Sequence, residues 1–261
     1  MMQRPEPILT ADRFAPLHAE LVRLLKGLTA EEWLNPTVAG AWTVKDIAAH
    51  LLDTAIRRLA IQRDGHIPPG PFEPNAMNRV WVEAYRRLSP RVLIEMIETY
   101  GAQQATFFES LDPFAEAPWG VQWAGEERSP MWFDMARELT ERWHHQQQIR
   151  DALGRPPLDE HLDAVIDTFM RALPHTYRAI DAPPSTSIVL RIGDAAWTLV
   201  RELEWTLYVG ESQSPTTRVT MSGDIAWRVF TKGLKREDVR ATIEGEPAYA
   251  EPVLSMVAVI G

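Results

Sequence analysis

The spacing of apolar residues changes once along the chain, and this change constrains the fold more than any other feature. In the first part apolar residues recur at the spacing of amphipathic helices, beginning with Phe14, Leu17, Leu21, Leu24, Leu25 and Leu28. After DAPPSTS (181–187) apolar and polar residues alternate, as in half-buried strands. This order predicts an α+β chain of two domains, a helix bundle over 1–154 and a small α+β domain over 155–261.

Capping signals predict where several helices begin. Thr10 precedes the first apolar stripe, and Thr43 with Asp46 has the spacing of a capping box. Ser89 followed by Pro90 fits an N-cap with proline at the first helical position. The helical segments predicted after the first helix are 41–65, around 75–88, 90–111, 130–154 and 159–175.

Loops and short strands complete the predicted layout. The proline-rich segment 66–74 and the long segment 112–130 are predicted loops, and loops as long as the second are often functional. A final helix interrupted by Pro252 is expected in PAYAEPVLSMVAVIG. The predicted sheet segments are SIVLRIGDAAWTLVREL with a Gly-Asp turn, EWTLYVG, TRVTMSG and RATIEG, with a helix in DIAWRVFTKGL.

Composition narrows the classes of function. The 261 residues carry a net charge of −9 and contain no cysteine. An acidic chain without a basic run is a poor binder of nucleic acid. The lack of cysteine excludes disulfides, iron–sulfur clusters and a cysteine nucleophile. No signal peptide and no membrane span are predicted, so the expected location is the cytoplasm.

The segment ELTERWHHQQQIRDALG (138–154) carries the candidate site. Glu141 and His145 lie four residues apart, a spacing that lets two side chains on a helix converge on one ion. A solvated helix face is the more common explanation of such a pair. That explanation is favoured by the apolar stripe on the opposite side of the helix, which consists of Trp132, Ala136, Leu139 and Trp143. His50, on the flank of the second stripe, is the third candidate ligand.

Two motifs together resemble a known family. AWTVKDIAAHLL (41–52) and the 138–154 segment are similar to the motifs of the DinB-like metal-binding four-helix bundles, in particular the mycothiol-dependent maleylpyruvate isomerase branch. The resemblance implies an up-down bundle in which His50, Glu141 and His145 bind a divalent metal. Zinc is the first expectation, with nickel and iron as alternatives. The C-terminal part, including VTMSGDIAWRVF (219–230), resembles a small sterol-carrier-like α+β domain.

The resemblance also implies an activity. A low-molecular-weight thiol such as mycothiol would add to an activated double bond of a small electrophilic acid, the bond would rotate, and elimination would give the trans isomer. Thiol transfer is a variant of this chemistry. A metal-dependent hydrolase with the same ligands and a non-enzymatic binder of small molecules or lipids are the alternatives. A homodimer is compatible with the resemblance.

Further residues are assigned from their positions. Asp46, one turn from His50, and Gln148, one turn from His144, are candidates for orienting the histidine rings, with a helix cap and a surface amide as the respective alternatives. Arg79, Arg218 and Arg228 are candidate contacts of the substrate. His144 points about 100° away from His145 around the helix and is not expected to bind the metal.

Overall fold

The computed structural model describes residues 2–67 and 73–258, with only the backbone at 74 and 75. The chain divides into two compact units. The helical unit comprises Leu9–Pro118 and Glu138–Asp159, and the sheet unit comprises Met1–Ile8, Trp119–Arg137 and Glu160–Gly261. The predicted fold class, a helix bundle followed by a small α+β domain, is confirmed. The predicted domain boundary between residues 154 and 155 differs from this division and remains our proposal.

The helical unit is an up-down four-helix bundle built from α1, α2, α4 and α5. The helices of this part of the chain are α1 Phe14–Lys26, α2 Val44–Arg58, α3 Pro74–Tyr85, α4 Pro90–Glu109 and α5 Met131–Ala152. Residues of α5 before Glu138 are grouped with the sheet unit. Leucines of α1, the apolar face of α2, Leu93 and Ile97 of α4, and Ile149 of α5 belong to one buried cluster.

Two of the three predicted caps are confirmed. Thr43 accepts a hydrogen bond from the Asp46 main chain, and the Asp46 carboxylate accepts one from the Thr43 main chain. Ser89 accepts from Val92 at the start of α4. The prediction for Thr10 is wrong, because its ψ of 2° is not the extended conformation of a capping residue and its side chain makes no capping bond. A 3₁₀ turn over Ala11–Arg13 precedes α1 instead.

The face of α5 that was expected to meet solvent is buried. His145 and Gln148 on that face are 2% and 3% exposed. On other sides of the helix, two glutamines bond to the main chain of neighbouring segments. Gln146 donates to the Leu17 carbonyl at 3.0 Å, while Gln147 donates to the Leu158 carbonyl and accepts from its amide at 2.6 and 3.1 Å. The Gln147 amide is therefore paired at both ends and is buried without the cost of an unsatisfied polar group, whereas the buried Gln146 Oε1 has no partner among the described residues.

The sheet unit contains a five-stranded sheet in the order β3-β2-β1-β4-β5. Strands β1 and β4 are parallel, and the other neighbouring pairs are antiparallel. The strands are β1 Ser187–Ile192, β2 Ala195–Arg201, β3 Trp205–Val209, β4 Thr217–Met221 and β5 Thr242–Gly245. The helices of this unit are α6 Leu162–Met170, α7 Leu173–Tyr177, α8 Gly223–Phe230 and α9 Glu251–Leu254.

Two helix predictions in this unit need correction. The single helix expected over 159–175 is two helices, with Pro174 in the first turn of α7, where a missing amide hydrogen costs no hydrogen bond. The expected terminal helix is only α9, in which Pro252 also occupies the first turn. Residues 259–261 and part of the loop predicted at 66–74, residues 68–72, lie outside the described residues. Within the described chain, every helix is too short or too polar to cross a membrane.

Candidate metal centre

The three predicted ligands meet inside the helical unit. His50 is on α2, and Glu141 and His145 are one turn apart on α5. The Glu141 Oε1 atom lies 3.3 Å from His50 Nε2 and 3.3 Å from His145 Nε2. One potential ligand atom from each residue lies within 4.8 Å of the others. The spacing that made Glu141 and His145 a pair in the sequence therefore also brings them to His50.

Exposure differs among the three side chains. His50 and His145 are 3% and 2% exposed, whereas Glu141 is 18% exposed. The imidazole rings are thus fixed by packing, and the carboxylate keeps one side accessible. Trp42 covers the histidines, with its ring centroid 5.0 Å from His50 and 6.4 Å from His145.

A glutamine sets the orientation of His145. The Gln148 Oε1 atom lies 2.7 Å from His145 Nδ1, so Nδ1 carries the proton and donates it. In a neutral ring Nε2 then presents a lone pair to the Glu141 carboxylate. Two acceptors at this separation attract each other only through a proton or a cation placed between them.

The electrostatic environment favours the protonation states that metal binding needs. Burial lowers the pKa of His50, although its hydrogen bond to the Glu141 carboxylate opposes this shift. Burial would raise the pKa of Glu141, but its contacts with His145 and His50 outweigh this effect and hold that pKa well below its ordinary value. At neutral pH the cluster therefore offers a neutral imidazole and an ionised carboxylate, which are the ligating forms.

His144 is adjacent in sequence but is not one of the three converging side chains. Its Nδ1 lies 3.0 Å from the Thr140 carbonyl and 3.9 Å from Glu141 Oε2, while its ring centroid lies 4.1 Å from that of His145, with the two rings tilted by 34°. Burial lowers the pKa of His144 to about 3, so this ring is neutral. Its position agrees with the expectation that it does not bind the metal, an expectation that stays a prediction.

The two residues proposed to orient the histidines are placed differently from each other. The Asp46 carboxylate bonds to Thr43 and forms a two-pronged ion pair with Arg86 at 2.8 and 3.0 Å. These contacts correspond to the capping alternative rather than to a contact with His50. Gln148 does contact a histidine, but that histidine is His145 rather than His144, from which it is four residues away.

The three arginines proposed as substrate contacts lie in separate places. Arg79 is exposed on α3. Arg218, on β4, pairs with Glu211 and Glu244. Arg228, on α8, pairs with Asp224 and stacks on Trp227. A role for any of them in binding substrate stays a prediction.

Three ion pairs of the helical unit, made by the buried carboxylates of Glu138 and Asp53, were missed by the sequence analysis. Glu138 pairs with Arg58 and Arg142, each at 3.4 Å, and Asp53 pairs with Arg57 at 2.8 Å. The four-residue spacing of Glu138 with Arg142, and of Asp53 with Arg57, was a signal that could have revealed them. Their burial was not visible in the sequence.

The fold and the cluster together define a class, the helix bundles in which histidines and a carboxylate from facing helices converge on one point. Residues 14–150, just over half of the chain, match the family described as mycothiol maleylpyruvate isomerase N-terminal domain. The chain belongs to this family.

Solved structures show the same fold over most of the chain. A crystal structure of a mycothiol-dependent maleylpyruvate isomerase is similar with a TM-score of 0.58 and 16% identity, covering 90% of this chain and 92% of that one. A variant of that isomerase with a histidine replaced by alanine gives a TM-score of 0.58 and 14% identity, covering 89% and 91%. No match is found among curated proteins.

Proposed function

We propose that this protein is a metal-dependent enzyme that uses a low-molecular-weight thiol to isomerise a small electrophilic acid or to transfer the thiol to it. The observation that carries the proposal is the meeting of His50, Glu141 and His145 around one point. Among the described residues, no Lys or Arg forms an ion pair with Glu141. A carboxylate in that setting needs a cation to balance it.

The donor set fits a divalent metal. Two imidazole nitrogens and one carboxylate oxygen suit Zn²⁺ first, with Ni²⁺ and Fe²⁺ as alternatives. Three protein ligands correspond to a catalytic site, because structural zinc sites have four. The partial exposure of Glu141 supports access from one side for a further ligand.

A divalent metal bound there would lower the pKa of a bound thiol or water and so supply a nucleophile at neutral pH. The protein's own residues have other tasks. Gln148 holds His145 in the tautomer whose Nε2 is free to bind a metal. Trp42 shields both imidazoles from water on its side.

The thiol has to come from outside the chain, because the sequence contains no cysteine. Membership of the family favours mycothiol as that thiol. In an isomerisation the thiol is regenerated and the substrate gains and loses no atoms overall. A small-molecule substrate and a cytoplasmic location are part of this proposal.

The test is an isomerisation assay with the zinc-loaded protein. Maleylpyruvate is supplied with and without mycothiol, and the trans isomer is followed by proton NMR. We expect conversion, or a stable adduct of the thiol, only when the thiol is present, and neither with Glu141→Gln. Glu95→Gln, an exposed carboxylate on α4, is the matched control and should behave as the parent. Isomerisation that is independent of the thiol would overturn the proposal, and a product of hydrolysis in place of the trans isomer would favour a hydrolase.

A further inference from the structure

A cleft of about 450 Å³ is lined by residues of the sheet unit, and none of the three residues of the metal cluster is among them. Its walls come from α7, from the turn between β2 and β3, and from the segment around Ala124. The side chains that give it chemical character are His175, Arg178, Arg201, Leu203, Glu204 and Trp205. Its volume is in the range of clefts that bind small molecules.

The net charge of this cleft is opposite in sign to that of the whole chain. The chain has a net charge of −9, but two arginines and one glutamate line the cleft. Other arginines of the same unit, Arg191 and Arg228, pair with carboxylates. Within the described part of the chain, Arg178 and Arg201 form no such ion pair, and their bonds go to main-chain carbonyls.

These carbonyl bonds hold the two guanidinium groups in place. Arg178 Nη1 donates to the His175 carbonyl at 2.7 Å. Arg201 Nη1 donates to the carbonyls of Leu203 and, at 3.3 Å, Glu202. The buried Nε of Arg201 has no partner among the described residues. Each guanidinium group is thus held in position while its charge is not balanced by a carboxylate, as recognition of a planar anion requires.

Trp205 and Leu203 supply an apolar part of the lining beside the polar His175 and Glu204. The Trp205 indole nitrogen donates to the Ile180 carbonyl at 3.0 Å, which fixes the ring and uses its polar edge. The His175 ring packs directly on Gly125, because a Cβ atom at that position would lie only 2.2 Å from His175 Nδ1. Leu203 is 94% exposed at the tip of the turn, so an apolar surface borders the opening.

We propose that this cleft binds a small organic monocarboxylate. The carboxylate would be bound by Arg178 and Arg201, and its apolar body would rest against Trp205 and Leu203. Glu204 leaves the two arginines with one net positive charge, which matches a singly charged anion better than a phosphate dianion. The proposal does not depend on the metal centre.

Isothermal titration of the full-length, metal-free protein tests this inference. The probe is benzoate, compared with the neutral isostere benzamide and with inorganic phosphate. We expect saturable binding of benzoate that is about tenfold or more weaker in Arg178→Gln and in Arg201→Gln, since each variant loses charged hydrogen bonds. Benzamide and phosphate should bind more weakly than benzoate.

Arg240→Gln is the matched control, because Arg240 in the same unit also donates to a main-chain carbonyl, that of Glu237, but does not line the cleft. It should bind benzoate as the parent does. Circular dichroism of each variant verifies folding, and Arg201→Lys, which keeps the charge, should retain part of the affinity. Absent or unsaturable benzoate binding, equal binding of benzamide, or equal loss in Arg240→Gln would overturn the proposal. Tighter binding of phosphate would overturn the assignment of a carboxylate.

Discussion

Two carboxylates on α5, three residues apart, have opposite surroundings. Glu138 is 4% exposed and faces Arg58 and Arg142, with Gln104 also within hydrogen-bond distance at 3.4 Å. Glu141 faces His50 and His145. The first cluster is balanced by permanent positive charges of the protein, whereas the second is balanced only by a proton or by a bound cation.

This difference separates a structural cluster from a candidate site better than burial does. Both clusters are inside the helical unit, and both contain buried polar side chains. Arg142 also donates to the Leu51 carbonyl and to Thr54 at 3.3 Å, so it links α5 to α2. We therefore assign the Glu138 cluster to stability and the Glu141 cluster to metal binding.

The largest expected effect is the loss of the Glu138 charge. Glu138→Gln leaves two buried guanidinium groups without their anion, which costs about 3–5 kcal/mol when a buried ion pair is broken. Urea titration should show this loss in the free energy of unfolding both with zinc and without it.

Glu141→Gln is the matched variant, with the same chemical change at the neighbouring cluster. In metal-free protein its cost should be about 1 kcal/mol, the value of an ordinary hydrogen bond. If the two metal-free variants lose equal stability, the distinction between the clusters is wrong.

A third buried carboxylate sharpens the comparison through its pH dependence. Burial raises the pKa of Asp53 from 3.8 to about 6, and the ion pair with Arg57 opposes the shift only in part. The folded state therefore binds this proton more tightly than the unfolded state. The resulting stability is present below about pH 4 and is lost as the pH rises through about 6, amounting to roughly 3 kcal/mol.

Asp53→Asn removes this titration. Relative to the parent, the variant should gain roughly 3 kcal/mol in free energy of unfolding between about pH 4 and pH 7. Urea titrations of both proteins at the two pH values measure this change. Asp64→Asn, an exposed position, is the control and should show no comparable gain. A constant difference between parent and Asp53→Asn would refute the assigned pKa.

Gln148 should affect the metal and not the fold. Gln148→Ala frees the His145 ring to turn, and losing such a partner typically lowers metal affinity about 10–100-fold. Gln147→Ala is the matched control, because Gln147 is also buried but bonds to the Leu158 backbone. Zinc competition with a chromogenic chelator should show a loss of affinity in the first variant alone. An equal loss in both would assign Gln148 a general packing role.

The smallest effect is expected at Asp46. Asp46→Ala removes half of a capping box and the partner of Arg86, and caps are worth about 1 kcal/mol. Zinc affinity should be unchanged, because the contacts of Asp46 are with the cap and with Arg86. A lower zinc affinity at unchanged stability would instead support the predicted role of Asp46 in orienting His50.

Local signals in the sequence predicted much of the helical unit. The capping box at Thr43 and Asp46 fixed the start of α2, and the four-residue spacing of Glu141 and His145 placed them on one face of α5. The β1–β2 hairpin followed from its Gly-Asp turn. These features depend on neighbours close in sequence, and for that reason they could be recognised without a structure.

Features that depend on distant segments could not be predicted. The apolar stripe of α5 indicated that Glu141 and His145 face water, but His145 is 2% exposed and Glu141 meets His50 of α2. His50 and Glu141 are 91 residues apart in the sequence, so the pattern of α5 alone did not indicate their contact. The same reason explains why Gln148 was assigned to the wrong histidine, since ring orientation depends on tertiary packing.

The most direct test of the account is the zinc content of untagged protein after equilibration with zinc and dialysis. His145→Ala and His144→Ala form a matched pair, because they remove adjacent buried histidines of which only His145 converges with His50 and Glu141. We predict near-stoichiometric zinc in the parent and in His144→Ala, and its loss in His145→Ala. A parent protein that retains no zinc, or equal zinc in both variants, would contradict the assignment of the metal centre.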